Sequence, residues 1–124
     1  MNKIKNQFLS RELSLKLREL GFEEDTLAYY VGKDPEIFLC DEKYVKQANF
    51  KLTSKIAFRA PLYQQAFDFF REKYNLNSYI KYQGIYGYYY VIDYDEYGND
   101  KENCGFHYEE ARLKCLTKLI EIVK

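Results

Sequence analysis

The chain has 124 residues, a size typical of one folded domain, and we therefore predict a single domain over residues 1–124. Its 19 basic and 19 acidic side chains cancel, which excludes binding to nucleic acid or to an anionic membrane through overall charge. The composition includes 14 Tyr and 9 Phe but no Trp, so much of the core must be aromatic.

The three cysteines, Cys40, Cys104 and Cys115, cannot all pair within one chain. We interpret them as reduced thiols and predict a cytosolic protein. The N-terminal residues carry charges throughout, and no apolar run reaches 18 residues. The sequence therefore predicts neither a signal peptide nor a membrane-spanning helix.

A first helix is predicted over residues 10 to 20, where Leu13, Leu17 and Leu20 form one apolar stripe. Ser10 is suited to cap its N-terminus and Gly21 to end it in a left-handed conformation. The runs LAYYVG (27–32) and IFLC (37–40) then predict a hairpin around the turn at 34–35. Residues 41–59 show no clear periodicity and predict an irregular segment.

A second helix is predicted after Pro61, in the run LYQQAFDFFREKYN, with Asn75 as its terminator. The following run SYIKYQGIYGYYYVIDYDEYG predicts two antiparallel strands around residues 84–87. Aromatic residues alternate to both faces of the second of these strands, which favours an interior strand covered on part of each side.

The last predicted helix, YEEARLKCLTKLIEIVK (108–124), is the clearest in the chain. Its apolar stripe consists of Tyr108, Ala111, Cys115, Leu116, Leu119, Ile120 and Val123. The order α-β-β-(irregular)-α-β-β-α predicts an α+β fold: a mostly antiparallel sheet with three helices packed on it.

The tyrosine row of the second strand allows two interpretations. Tyr86, Tyr88 and Tyr90 share one face of the strand. An exposed row of large rings would form a patch of interface size. We favour packing of these rings into the core, with their hydroxyls at its rim. The alternative is that they face a partner protein or a second copy of the chain.

A basic segment is the candidate nucleic-acid site. Residues 43–59 contain no acid and interleave cations with aromatic rings; its candidate contact residues are Lys43, Lys46, Phe50, Lys51, Lys55 and Arg59. Cations neutralise phosphates and rings stack on unpaired bases, so this pattern suits a small single-strand binder. The simpler alternative is that the segment faces water or the acidic stretches of the chain.

Metal sites and catalysis are not favoured. The run DYDEYGND aligns Asp93, Asp95 and Gly98 with a calcium-binding loop, but Tyr97 and Cys104 stand where ligands are required, so we predict a solvated turn with its bend at residues 98–99. Cys104 and His107 are only half of a zinc site, and we interpret His107 as a helix-entry residue. Without a nucleophile motif we predict no enzyme, no metal and no cofactor.

Segments along most of the chain resemble one group of proteins. These are LKLRELGFEEDTLAYY (15–30), APLYQQAFDFFREKYNLNSYI (60–80), GYYYVID (87–93) and EEARLKCLTKLIEIVK (109–124). They are similar to small uncharacterised proteins of Bacteroides-type bacteria and their phages or prophages. The chain departs from that group at Asp68-Phe69, where the group has Arg-Trp, and at His107, where Thr is common.

The resemblance implies a protein linked to mobile elements, and it carries over no catalytic residue. Together with the aromatic excess, it predicts a small binding protein that acts on another protein or on itself. The alternative function is nucleic-acid binding through residues 43–59. No membrane partner is expected.

Overall fold

A computed structural model describes residues 4–40, 57–93 and 99–124 of the chain. Two compact units divide it, Met1–Gln65 and Ala66–Lys124. Each unit contains its own three-stranded antiparallel sheet. The single domain expected from chain length stays a prediction, and the two units are described separately below.

In the first unit, helix α1 spans Arg11–Glu19 and has the predicted ends. The Ser10 side chain accepts a hydrogen bond from the backbone N–H of Leu13, which satisfies one free donor of the first turn. Gly21 has a φ of 99°, and the N–H of Phe22 donates to the carbonyl of Leu17. This bond closes a Schellman motif and buries Phe22.

The first sheet has the order β2-β1-β3. Strand β1 spans Ala28–Val31, β2 spans Phe38–Leu39 and β3 spans Ala57–Arg59. The β1–β2 hairpin confirms the sequence prediction, with Tyr29 opposite Phe38. Strand β3 adds a third partner, because Tyr30 pairs with Phe58 across the other side of β1.

Tyr30 anchors the core of this unit. Its ring stacks on Phe58 at 5.8 Å between centroids, and its hydroxyl donates to the carbonyl of Leu9 at 2.6 Å. Burial raises its pKa to about 12. The buried cluster around it comprises Phe8, Ala28, Ile37, Phe58 and Ala60. Tyr30 is therefore a core residue, and its hydroxyl has a hydrogen-bond acceptor in the Leu9 carbonyl.

Helix α2 spans Tyr63–Tyr74 and begins two residues after Pro61. The N–H of Leu62, directly before the helix, donates to the side-chain oxygen of Gln65 at 3.0 Å, as in half of a capping box. Asn75 ends the helix with a φ of 56°, the left-handed conformation predicted for it.

In the second unit the sheet order is β4-β5-β6. Strand β4 spans Asn77–Tyr82 and β5 spans Tyr88–Asp93, confirming the predicted hairpin. Strand β6 spans Asn99–Asn103 and pairs with the other side of β5. Strand β5 is therefore the interior strand, as its two-sided aromatic pattern predicted, and its centre is buried.

Helix α3, Tyr108–Val123, lies against the sheet face that carries Tyr88, Tyr90 and Ile92. The Ser78 hydroxyl on that face hydrogen-bonds the thiol of Cys115. The predicted apolar stripe supplies the buried side of the helix, from Ala111 to Ile120. The α+β class is confirmed: the described residues hold three α-helices and two antiparallel sheets.

Candidate functional site: an exposed hydrophobic tip

Large apolar side chains stand exposed where β4 turns into β5 and where β6 leads into α3. Ile85 is 82% exposed, Phe106 73% and Tyr86 71%. Tyr82, the last residue of β4, and Tyr108, the first residue of α3, are also exposed. We call Tyr82, Ile85, Tyr86, Phe106 and Tyr108 the hydrophobic tip.

A close backbone contact joins the two segments that carry the tip. The N–H of Tyr88 donates to the carbonyl of Gly105 at 2.7 Å, and the N–H of Cys104 donates to the carbonyl of Tyr88 at 2.8 Å. A Cβ atom added to Gly87 would lie 2.0 Å from the Gly105 oxygen and 3.3 Å from the Cα of Phe106. Only a residue without a Cβ permits this approach.

The turn itself is short and hydrogen-bonded. Residues Gly84–Tyr86 form one turn of 3₁₀-helix, and Gly84 and Gly87 both have positive φ. The N–H of Gln83 donates to the carbonyl of Gly87, and its side-chain amide donates to Asn103 at 2.8 Å. The first bond closes the turn and the second ties it to β6, so the tip side chains project from an ordered base.

Aromatic packing supports the tip from below. The Tyr88 ring lies 5.2 Å from that of Tyr82 and 5.9 Å from that of Tyr108, the latter edge to face. The guanidinium of Arg112, buried on α3, lies 5.7 Å from the Tyr108 ring centroid. Half-buried Tyr88 therefore joins β4 and α3 beneath the exposed side chains.

The three predicted partner-facing tyrosines have different environments. Tyr86 is in the exposed tip, Tyr88 supports it, and Tyr90 is only 2% exposed. The Tyr90 hydroxyl donates to the Glu102 carboxylate at 2.8 Å, and burial, reinforced by this bond, raises its pKa far above the usual value. Tyr90 is thus buried in the core, because α3 covers the centre of β5.

Most of the predicted nucleic-acid contacts lie outside the described residues: Lys43, Lys46, Phe50, Lys51 and Lys55. Arg59 is described, partly exposed in β3 opposite Tyr29. Nucleic-acid binding by this segment stays a prediction.

Part of the calcium-loop alternative lies outside the described residues. Asp95 and Gly98 are not described, and the bend predicted at 98–99 is described only from Asn99, the first residue of β6. Within the described ranges, no group of three or more His, Cys, Asp or Glu side chains could hold a metal ion. His107 is the exposed N-cap residue of α3, as the sequence predicted.

The three cysteines are free, and two of them are buried. Burial raises the pKa of the Cys115 thiol to about 12, and burial also raises the pKa values of Cys40 and Cys104. A buried thiol that stays protonated at neutral pH is a poor nucleophile. Cys104 and Cys115 therefore serve packing in the described structure.

An open groove of about 300 Å³ lies between the sheet and the outer side of α3. It is lined by Tyr90, Glu102, Leu113, Lys114, Thr117, Lys118 and Glu121. Its charges include both signs, and Lys118 approaches Glu121 to 3.9 Å.

Sequence reasoning identified Tyr86 but did not identify Tyr82, Ile85, Phe106 and Tyr108 as members of one surface. Phe106 lies twenty residues after Tyr86, and only the pairing of β6 with β5 brings the two segments together. Two signals were present in the sequence: an Ile within a glycine-flanked turn and a Phe between Gly105 and His107. Both put large apolar groups where a turn normally carries polar ones.

None of the described helices is long and apolar enough to cross a membrane. Comparison with protein-family models, with curated proteins and with solved structures found no match. The resemblance to the Bacteroides and phage group accordingly stays a prediction from the sequence segments quoted above.

Proposed function

We propose that the protein is a binding protein without catalytic activity, and that it contacts another protein through the hydrophobic tip. The observation that carries this proposal is the exposure of Ile85, Tyr86 and Phe106 on a base that glycine contacts and hydrogen bonds hold in place. The setting in a phage or mobile element rests on the sequence resemblance alone.

The exposed apolar area of the tip is large enough for a functional surface patch. A tyrosine or phenylalanine buries about 150–250 Å² when it is covered, so the exposed parts of the Tyr82, Tyr86 and Phe106 rings amount to about 300–500 Å². This equals the largest apolar patch of a typical monomeric protein, and such patches are often functional. Ile85 adds to it.

The composition and rigidity of the tip also suit a protein interface. Tyrosine and phenylalanine are enriched at interface centres, and a ring with two side-chain torsions loses little entropy when it is fixed. Exposed polar residues adjoin the tip residues along the chain: Lys81 precedes Tyr82, and His107 and Glu109 flank Tyr108. An apolar centre with a polar rim is the usual arrangement of a protein–protein contact.

The first experiment is affinity capture from a lysate of the cells that carry the gene. It compares the native chain with Tyr86→Asp and with Leu113→Asp, a matched control at an exposed apolar residue of α3 outside the tip. We expect a protein that binds the native chain and the control but not the Tyr86 variant. Equal capture by all three chains would refute a role for the tip.

The second experiment measures the affinity of the purified partner. Truncation of a central interface ring commonly costs 2 kcal/mol or more, so Tyr86→Ala is expected to raise Kd by roughly 30-fold. Leu113→Ala should leave Kd within about threefold of the native value. A loss smaller than fivefold for Tyr86→Ala would place the binding energy elsewhere.

Nucleic-acid binding through residues 43–59 is the alternative function. A mobility-shift titration of the native chain with single- and double-stranded DNA tests it across a salt series, because phosphate contacts weaken as salt rises. Binding at low salt that Lys51→Glu abolishes and Tyr86→Asp does not would favour this alternative over the tip.

A further inference from the structure

Within the described parts of the second unit, β4 stands at the edge of its sheet. Strand β4 pairs with β5 on one side, and no other strand of the described residues pairs with it on the other. Edge strands in proteins are normally protected by charges, by proline or by a bulge, because they can pair with another chain. Strand β4 has the sequence NSYIKY, with one charge and no proline.

The hydrogen bonds show which groups face this edge. The N–H of Gln83 donates to Gly87, and bonded pairs alternate along an antiparallel ladder. Lys81, Tyr79 and Asn77 therefore direct their backbone groups toward β5. Ser78, Ile80 and Tyr82 direct their N–H and C=O groups outward, unused by the sheet.

The other edge of the sheet is different. Strand β6 has the sequence NDKEN, with charges of both signs at its three central positions. Such an edge is protected against pairing. The contrast between the two edges identifies β4 as the one available for another strand.

We propose that β4 pairs with β4 of a second copy of the chain, antiparallel and around a twofold axis at Ile80. This arrangement joins the two sheets into one continuous sheet, β6-β5-β4 followed by β4-β5-β6 of the second copy. It goes beyond the proposed function, since it uses the strand edge and not the tip.

The register follows from two constraints on the backbone groups. Outward-facing residues must pair with outward-facing residues, so Ser78, Ile80 and Tyr82 of one copy can meet only one another in the second copy. The register with Ile80 opposite Ile80 puts Ser78 opposite Tyr82 on both sides and uses every outward group. Shifts in either direction leave some of these groups unpaired.

The position of Lys81 agrees with this register. With Ile80 on the axis, Lys81 lies opposite Tyr79 of the second copy, on the sheet face away from α3. This face already contains a lysine over a tyrosine ring, because the ammonium of Lys101 lies 4.4 Å from the Tyr89 ring centroid. Of the two registers shifted by one pair, one brings Lys81 opposite Lys81, which like-charge repulsion disfavours, and the other brings Tyr79 opposite Tyr79 and leaves Lys81 without a facing ring.

Helix α3 leaves room for the second copy within this unit. The two β5 strands of the paired sheets would lie about 14 Å apart, at three strand spacings. Since α3 lies against β5 and β4, the two α3 helices would be side by side on the same face. Packed helices need only 8–10 Å between axes, so the edge can be reached.

The test uses the full chain and its charge variants in sedimentation equilibrium. The native chain is expected to reach twice its 15.0 kDa mass as concentration rises. Tyr79→Lys creates two lysine–lysine pairs in the dimer and is expected to raise its dissociation constant roughly tenfold. Tyr79→Lys combined with Lys81→Glu converts them to ion pairs and should restore dimerisation to within about threefold.

Tyr86→Lys is the matched control, since it adds the same charge to an exposed tyrosine of the tip. It should not change dimerisation, and circular dichroism verifies the fold of each variant. Amide exchange supplies a second readout: the N–H groups of Ser78, Ile80 and Tyr82 should gain protection as concentration rises. A monomer at every concentration overturns the proposal, as does a dimer that Tyr79→Lys leaves intact or that Tyr86→Lys dissociates.

Discussion

Alanine at two glycines of the same turn should have very different consequences for stability. Gly84 and Gly87 both have positive φ, at 65° and 82°, so each alanine must adopt a backbone conformation that side chains disfavour. The space around them differs. A Cβ at Gly84 meets nothing within 4 Å, whereas a Cβ at Gly87 lies 2.0 Å from the carbonyl oxygen of Gly105.

The expected magnitudes follow from these contacts. Gly84→Ala adds only the left-handed backbone cost, about 1 kcal/mol. Gly87 has a ψ of −137°, near a region essentially restricted to glycine, where another residue costs of order 1–3 kcal/mol. Its Cβ must also displace Gly105, which weakens the 2.7 Å bond from Tyr88 by about 1 kcal/mol. The total for Gly87→Ala is about 2–4 kcal/mol.

Urea denaturation followed by circular dichroism measures both losses, and amide exchange at Tyr88 locates them. We expect the free energy of unfolding to fall clearly more for Gly87→Ala than for Gly84→Ala, with faster Tyr88 exchange in the first variant only. Equal losses, or a Gly87 variant as stable as the native chain, would refute the close contact between the turn and Gly105.

Three further predictions concern other parts of the chain. Ser10→Ala should lower stability by about 1 kcal/mol in urea denaturation, because the N–H of Leu13 loses its acceptor; an unchanged midpoint would contradict the cap. A thiol reagent at pH 8 should label partly exposed Cys40 first and reach Cys115 only on unfolding; equal native rates would contradict the burial of Cys115. The folded-state pKa of Tyr30 exceeds its unfolded value of 10, so its contribution to stability is complete below pH 10 and is lost as pH rises toward 12. The free energy of unfolding of Tyr30→Phe should therefore fall less between pH 10 and 12 than that of the native chain. The same pH dependence in both chains would contradict the raised pKa of Tyr30.

Local signals in the sequence were sufficient to predict most of the helices and hairpins. Ser10 and Gly21 define the ends of α1, and Asn75 ends α2 in the left-handed conformation. The two-sided pattern of β5 correctly predicted an interior strand. In each case the residue type has a conformational preference that neighbouring residues do not oppose.

The missed elements lack such signals. Strand β6, NDKEN, contains no apolar residue, and its pairing depends on backbone bonds to β5 that side-chain patterns do not reveal. Strand β3 is three residues long and follows a segment without periodicity. Without β6 the sequence could not bring Phe106 to Tyr86, so the candidate site was predicted only in its tyrosine part.

The sequence pattern also could not predict which tyrosine rings are buried and which are exposed. Tyr86, Tyr88 and Tyr90 alternate identically along the chain, yet Gly87 lies between the 3₁₀ turn and the strand and ends the regular alternation. Helix α3 then covers Tyr90 but not Tyr86. Which tyrosines are exposed is therefore decided by tertiary packing.

Site-specific photocrosslinking tests the central claim most directly, namely that the hydrophobic tip is the surface that contacts a partner. Benzoylphenylalanine is introduced in place of Tyr86 and, in a separate chain, in place of Leu113, and both are irradiated in a lysate of the source cells. We predict one discrete crosslinked protein from position 86 and none from position 113. Crosslinks of equal yield at both positions, or none from position 86, would contradict the account.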